Sequence, residues 1–169
     1  MKLAPEGRTI VALLLLVFLA TCVAVAGLGL ASWWATIVLG PPGLLLLFVA
    51  WFFRDPERRV PSDPRALVSP ADGRVLRVDG GSLSVFMNVF DVHVCRTPMA
   101  GTVALVEHVR GGFLAAWRDA ASEHNERAHV VVRGGEHELH VTLVAGLVAR
   151  RIVCRARPGQ NWSPDSGSG

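Results

Sequence analysis

Between Arg8 and Arg54 the chain carries no Asp, Glu, Lys, Arg or His. A membrane-spanning helix needs roughly 20 apolar residues, and Thr9–Phe53 is long enough for two. A soluble domain does not leave so long a stretch uncharged, so an ordinary soluble fold over the whole chain is excluded. The first span is expected from Ile10 to Gly27 and the second from Trp33 to Phe53, with Gly27, Gly29 and Ser32 as turn positions. Gly40-Pro41-Pro42-Gly43 interrupts the second. Two adjacent prolines remove helix hydrogen bonds, which predicts a kink or a re-entrant bend there. Trp33, Trp34 and Trp51 suit the aromatic belts at the two interfaces.

A cleaved signal peptide is the competing reading. Lys2 and Arg8 would form its basic n-region, but the apolar run continues far beyond a signal's short h-region. Basic residues flank both ends of the run: Lys2 and Arg8 before it, Arg54, Arg58 and Arg59 after it. With two spans both flanks lie on one side, and the positive-inside tendency makes that side cytoplasmic. The expectation is an anchor over 1–54 in the cell (inner) membrane, with the following domain facing the cytoplasm.

The water-facing remainder has about 115 residues, enough for one modest core. The formal net charge is only +3, and Lys2 is the sole lysine among 17 basic residues. The arginines are scattered, so the electrostatic footprint of a nucleic-acid binder is missing. Cys22, Cys95 and Cys154 lie far apart and odd in number, which gives neither a disulfide framework nor a zinc signature.

From Pro61 onward short alternating apolar runs are bounded by Gly, Pro, Asp and Ser. Candidate strands are Arg74–Val78, Leu83–Met87, Val92–Cys95, Thr102–Val109, Ala128–Arg133, Glu138–Val144 and Leu147–Cys154. Asp79-Gly80-Gly81-Ser82 and Gly134-Gly135 read as hairpin turns. Ala115–Arg127 is polar and reads as a short helix or a loop. The fold class expected is a transmembrane helical hairpin followed by a mainly-β domain, a compact sandwich or barrel-like.

Several residues invite a chemical reading. His137-Glu138-Leu139-His140 lacks one residue of the helical zinc-protease spacing, and on a strand an offset of three puts the two rings on opposite faces. No metal is expected there. His124 and His129 read as surface residues. Ser69-Pro70-Ala71-Asp72-Gly73 reads first as a turn in which Asp72 caps its own backbone. Asp91 and His93, two apart, reach the same face of a strand. Such a pair can orient an imidazole for proton transfer; it can equally be a satisfied pair at a sheet edge. The residues alone leave both open.

Five segments occur in order: Asp55-Pro56-Glu57-Arg58, Ser69-Pro70-Ala71-Asp72-Gly73, Phe86–Pro98, Glu123-His124-Asn125-Glu126-Arg127 and Gly146–Cys154. Together they resemble the phosphatidylserine decarboxylase family in its short, prokaryotic, membrane-anchored form, over residues 55–157. The resemblance implies a proenzyme that cuts itself at a Gly-Ser bond near its C-terminus, the Ser becoming a covalent pyruvoyl group on a small α chain. It implies no external cofactor and no metal. The amine of a phospholipid substrate would condense with the pyruvoyl carbonyl, which accepts electrons as the carboxylate leaves as CO2, and phosphatidylethanolamine would be released. Asp72 matches the Asp associated with self-cleavage. His93 matches a His of the family's histidine motif and is the candidate for proton transfer. Some longer relatives carry a second His where this chain has Arg96. Asp91, Arg96, Asn125 and Glu126 are near-site or architectural candidates. The implied partners are a membrane phospholipid, the chain's own α chain and a homo-oligomer.

The end of the chain departs from the family pattern. After Arg157-Pro158-Gly159 the run Gln160–Gly169 reads as a polar tail over 158–169. Its Gly167-Ser168 offers Ser168 as pyruvoyl precursor, but cleavage there would leave almost no α chain. Back-translated with GC-rich codons, Asn161–Gly169 reads from the third nucleotide as Leu-Val-Ala-Gly-Gln-Arg-Phe-Gly, which is similar to the family's continuation and implies a frame shift near Gln160. The alternative expectation is an inactive, truncated homologue acting as a membrane-anchored lipid- or partner-binding protein. A small membrane protein unrelated to decarboxylation is a third reading, which the ordered segments oppose.

Overall fold

The computed structural model describes residues 2–30, 32–63, 66–115 and 121–164. It divides into two compact units, Met1–Pro56 with Val92–Val94, and Glu57–Asp91 with Cys95–Gly169.

The first unit is a helical hairpin. Helix α1 is Pro5–Gly27 and helix α2 is Ser32–Phe52. At 1.5 Å per residue they are about 35 and 32 Å long, enough to cross a bilayer's hydrocarbon core of about 30 Å. Both are long and apolar enough to cross a membrane. Many of their apolar side chains are exposed, Leu16, Val23, Leu44 and Leu47 among them. Helix α1 starts earlier than the apolar run, because Pro5 is pre-set for a first helical turn and brings Glu6 and Arg8 into the helix. Gly29, at φ 59°, turns the chain between the helices.

Helix α2 runs through Pro41 and Pro42 without a break, so the expected re-entrant bend is absent. The prolines leave only the carbonyls of Ile37 and Val38 without their usual helical donors, a loss a single helix absorbs.

The hairpin is closed at its open end. Strand β1 (Lys2–Leu3) pairs antiparallel with strand β2 (Arg54–Asp55), Lys2 opposite Asp55 and Leu3 opposite Arg54. The Ala4 N–H donates to the Phe53 carbonyl at 2.8 Å. Gly7 is buried against Phe53, where a Cβ would overlap the ring. Both flanks of the apolar run therefore lie at the same end of the hairpin. Arg54 lies over the Trp51 ring at 4.2 Å at that end, and Trp33 and Trp34 stack at the start of α2.

The second unit is mainly β. Strands β3 (Arg74–Asp79) and β4 (Ser82–Phe86) form a hairpin. Gly80 and Gly81, at φ 51° and 85°, supply the two left-handed positions that a tight hairpin turn needs. Strands β5 (Gly101–Val109), β6 (Arg127–Gly134), β7 (His137–Val144) and β8 (Asn161–Trp162) form an antiparallel sheet in the order β7-β6-β5-β8. It curls as a half-barrel. A bulge at Ala104, where the register shifts between Val103 and Leu105, strengthens its twist. The core lies on one face: Met99, Val103, Val130, Val132 and Ala156 are buried, with Val106, Leu139, Cys154 and Trp162 packed against them. Each fully buried Val is worth about 1.5–3 kcal/mol.

Two expected strands are absent. Val92–Cys95 and Leu147–Cys154 alternate in the sequence but join no ladder. Around Leu147 the backbone closes on itself instead, Gly146 N–H to the Ala149 carbonyl and Arg150 N–H to that of Val148, both 3.0 Å. Leu147, Val148 and Val153 are exposed. Conversely, Asn161 and Trp162, in the segment read as a polar tail, pair with Thr102 and Gly101 of β5. Within Ala115–Arg127, helix α3 spans Ala121–His124.

Candidate functional site

The Ser69–Gly73 segment is a tight bend. The Ser69 hydroxyl donates to the Ala71 carbonyl at 2.7 Å. Gly73 has φ 132°, and a Cβ there would collide with the Phe86 carbonyl at the end of β4. Only glycine lets β3 begin at this point, directly after Asp72. The bend is tied to a second segment far away in sequence. The Arg96 N–H donates to the Pro70 carbonyl at 2.8 Å, and the Val68 N–H to the Pro98 carbonyl at 2.9 Å.

This arrangement fixes Asp72. Its Oδ1 accepts from Nη2 of Arg58 at 3.1 Å. An ion pair this exposed contributes little stability; its consequence is the position of the carboxylate. Asp72 keeps 43% of its side chain open, while Arg58 is more enclosed at 20%. Cys95 shares these surroundings. Burial pushes its thiol up to about 11, the Arg58 charge draws it down and the Asp72 charge pushes it up. The thiol is neutral at physiological pH and no nucleophile.

His93 belongs to the first unit, where its half-buried ring stacks on Phe52, centroids 4.3 Å apart and planes 28° apart. Phe52 ends α2 and meets Phe53 edge-on at 5.2 Å. The imidazole is thus held at the last residue of the second apolar helix, at the end that carries Trp51 and Arg54.

Asp91 serves a turn. Its Oδ2 accepts the Asn88 N–H at 2.7 Å, while Asn88 Oδ1 accepts the Phe90 N–H at 2.8 Å. Arg96 contributes its backbone to the bond with Pro70 already described.

Asn125 is completely buried. Its Oδ1 accepts the Leu114 N–H at 2.7 Å, and its Nδ2 donates to the carbonyls of Leu114 and Ala145, both at 2.8 Å. The Glu126 N–H donates to the Gly112 carbonyl at 3.0 Å, and its carbonyl accepts the Ala145 N–H at 2.9 Å. Asn125 and Glu126 together clamp the loop before α3 to the end of β7. Ser168 lies outside the described residues.

The residues that the motifs alone did not single out are Arg58 and Phe52. Arg58 stood in the Asp55–Arg58 segment, but nothing in that spacing reveals that it reaches Asp72. Phe52 was one apolar residue among many. An open depression of about 610 Å³ is lined by Cys154, Arg155, Ala156, Arg157 and Gln160. Neither Asp72 nor His93 lines it.

The family model described as phosphatidylserine decarboxylase matches residues 45–167. A phosphatidylserine decarboxylase proenzyme of Symbiobacterium thermophilum is 48% identical over 150 residues, covering 80% of this chain and 68% of the relative. That of Solibacter usitatus is 47% identical over 148 residues, covering 85% and 71%. That of Chlorobium chlorochromatii is 42% identical over 131 residues, covering 72% and 62%. The matches thus span roughly two thirds of the length of these relatives. The matched region contains both the bend with Asp72 and the segment with His93, and the chain belongs to the phosphatidylserine decarboxylase family.

Proposed function

We propose that this chain is a membrane-anchored phosphatidylserine decarboxylase proenzyme, a lyase that converts phosphatidylserine to phosphatidylethanolamine and CO2 through a pyruvoyl group made from one of its own serines. The observation that carries the reading is the family match over 45–167, which begins inside α2 and includes Asp72 and His93.

The residues present fit that chemistry. Self-cleavage needs a fixed, accessible proton acceptor, and the Asp72 carboxylate is fixed by Arg58 and open to solvent. A pyruvoyl group supplies a carbonyl that accepts the electrons released when CO2 departs. The chain's own part is then to hold the lipid head group and deliver a proton where CO2 has left. His93 is suited to that transfer, because an imidazole exchanges protons near neutral pH. Its stacking on Phe52, at the end of an apolar helix, supports this role, since in a membrane that helix end would lie near the depth where a lipid presents its head group. The thiol of Cys95, kept neutral, does not compete for the carbonyl.

The anchor matches the substrate, which stays in the bilayer. Lys2, Arg8 and Arg54 lie at the closed end of the hairpin, and Arg58 and Arg59 follow in sequence. By the positive-inside tendency this end faces the cytoplasm, in the cell (inner) membrane.

The test is the intact mass of the protein purified from membranes after expression from its own gene. Two fragments are expected, the smaller blocked at its N-terminus by pyruvoyl. A single uncut chain would overturn the pyruvoyl reading and leave a lipid- or partner-binding homologue.

A further inference from the structure

The outer face of the sheet carries a cross-strand cluster that includes none of the residues assigned above to decarboxylation. His129 on β6 lies opposite Thr142 on β7, and Val131 lies opposite His140, so the two histidines are diagonal neighbours on one face. Arg133 and Glu138 form the next pair on that face and are ion-paired. Glu107 of β5, in register with His129, shares the face.

The two imidazoles converge. Nε2 of His129 and Nδ1 of His140 are 3.2 Å apart. Each ring's other nitrogen is held by a polar partner: His129 Nδ1 by Thr142 Oγ1 at 2.9 Å, and His140 Nε2 by Glu138 Oε1 at 3.0 Å. A carboxylate only accepts, so His140 Nε2–H donates to Glu138 and its Nδ1 presents a lone pair. That lone pair accepts Nε2–H of His129, whose Nδ1 accepts the Thr142 hydroxyl.

The same geometry suits a metal ion. Two imidazole nitrogens bound at 2.0–2.1 Å lie about 3.3 Å apart in a tetrahedral site and about 2.9 Å apart at a right angle. The observed spacing falls between these values. The outer partners are also those of a metal site, since ligating histidines donate their far N–H to a carboxylate or another oxygen. Glu138 already plays that part for His140, and Arg133 braces its other oxygen. For His129 the proton needs only to move from Nε2 to Nδ1, where the Thr142 hydroxyl accepts as readily as it donates. No net proton is released.

We propose that His129 and His140 form a two-imidazole site for a borderline divalent ion, Zn(II), Cu(II) or Ni(II), with Glu138 and Thr142 orienting the rings. Imidazole favours these ions over Mg(II) or Ca(II). Among the described residues no group of three His, Cys, Asp or Glu is placed to hold a metal, so water completes the coordination and the open positions accept an oxygen ligand. The ion staples the edge strand β7 to β6.

The experiment is calorimetric titration of ZnCl2 into the full-length protein in detergent, after chelator treatment. One Zn(II) per chain is expected. His129→Ala and His140→Ala each weaken binding at least about tenfold, and Glu138→Gln weakens it by about 10- to 100-fold, as loss of an orienting partner does. His137→Ala, on the opposite face of β7, leaves it unchanged. Should a variant misfold, the wild-type protein loaded with Cu(II) decides: its electron paramagnetic resonance spectrum shows coupling to two imidazole nitrogens. Wild-type affinity in both His→Ala variants, or coupling to fewer than two nitrogens, would overturn the proposal.

Discussion

Replacing His93 by Ala lowers release of CO2 from phosphatidylserine by about 10²- to 10⁴-fold, the contribution of a positioned general acid or base. The loss follows from chemistry and not from folding. His93 is half-buried, its ring contact with Phe52 lies at the hairpin's end, and it is not one of the residues packed in the hydrophobic core. The protein should therefore reach the membrane in normal amounts. The measurement is CO2 release per mole of membrane-extracted protein, with the extent of self-cleavage read on the same sample. Activity within threefold of wild type would remove His93 from the reaction. A milder change, Phe52→Leu, keeps apolar volume but loses the stacking partner. A smaller fall, with the pH profile displaced, marks Phe52 as a positioning residue.

Replacing Asn125 by Ala destabilises the β unit by about 3–5 kcal/mol. Three hydrogen bonds vanish together: the part-buried N–H and carbonyl of Leu114 and the buried carbonyl of Ala145 all lose their side-chain partner. Each buried group left unsatisfied costs about 1–3 kcal/mol. Asn125→Asp is no remedy, because a carboxylate oxygen would then face two carbonyls. Thermal unfolding in detergent checks this: the midpoint should fall by about 10 °C or more, given some 4–8 °C per kcal/mol in a domain of this size. A midpoint within about 2 °C of wild type would show that water or a shifted loop satisfies those groups.

Much of this architecture was legible because it rests on signals carried by neighbouring residues. Uncharged length alone implied two spans, and the basic flanks implied a hairpin, which the pairing of Lys2 with Asp55 closes. The hairpins at Gly80-Gly81 and at Gly134-Gly135 followed from turn chemistry, since the strands they join are adjacent in sequence. What failed was what depends on distant partners. Val92–Cys95 and Leu147–Cys154 have the alternation of strands, but alternation reports a half-buried face and does not supply a ladder. Asn161-Trp162 has no periodicity, yet joins the sheet beside β5, where Gly159 and Gln160 bond to Val103. Pro41 and Pro42 raise the expectation of a kink or a re-entrant bend, and the continuity of α2 through them removes the re-entrant bend, because two adjacent prolines free only two neighbouring carbonyls.

The candidate residues divide along the same line. Asp72 and His93 were found through motifs. That Arg58 holds the Asp72 carboxylate, and that Phe52 holds the His93 ring, required the fold. Asn125 stood in a motif, but its complete burial decides what it does. The convergence of His129 and His140 depends on register, for a shift of one residue would place the rings on opposite faces.

The proposed reaction is decarboxylation of a serine phospholipid. The most direct test uses membranes from cells expressing its gene, in a host lacking its own decarboxylase, incubated with phosphatidylserine labelled in the serine carboxyl carbon. Labelled CO2 is expected to be released with matching formation of phosphatidylethanolamine, both abolished by hydroxylamine, which captures a reactive carbonyl. Label retained in the lipid at the level of membranes lacking the protein would contradict it.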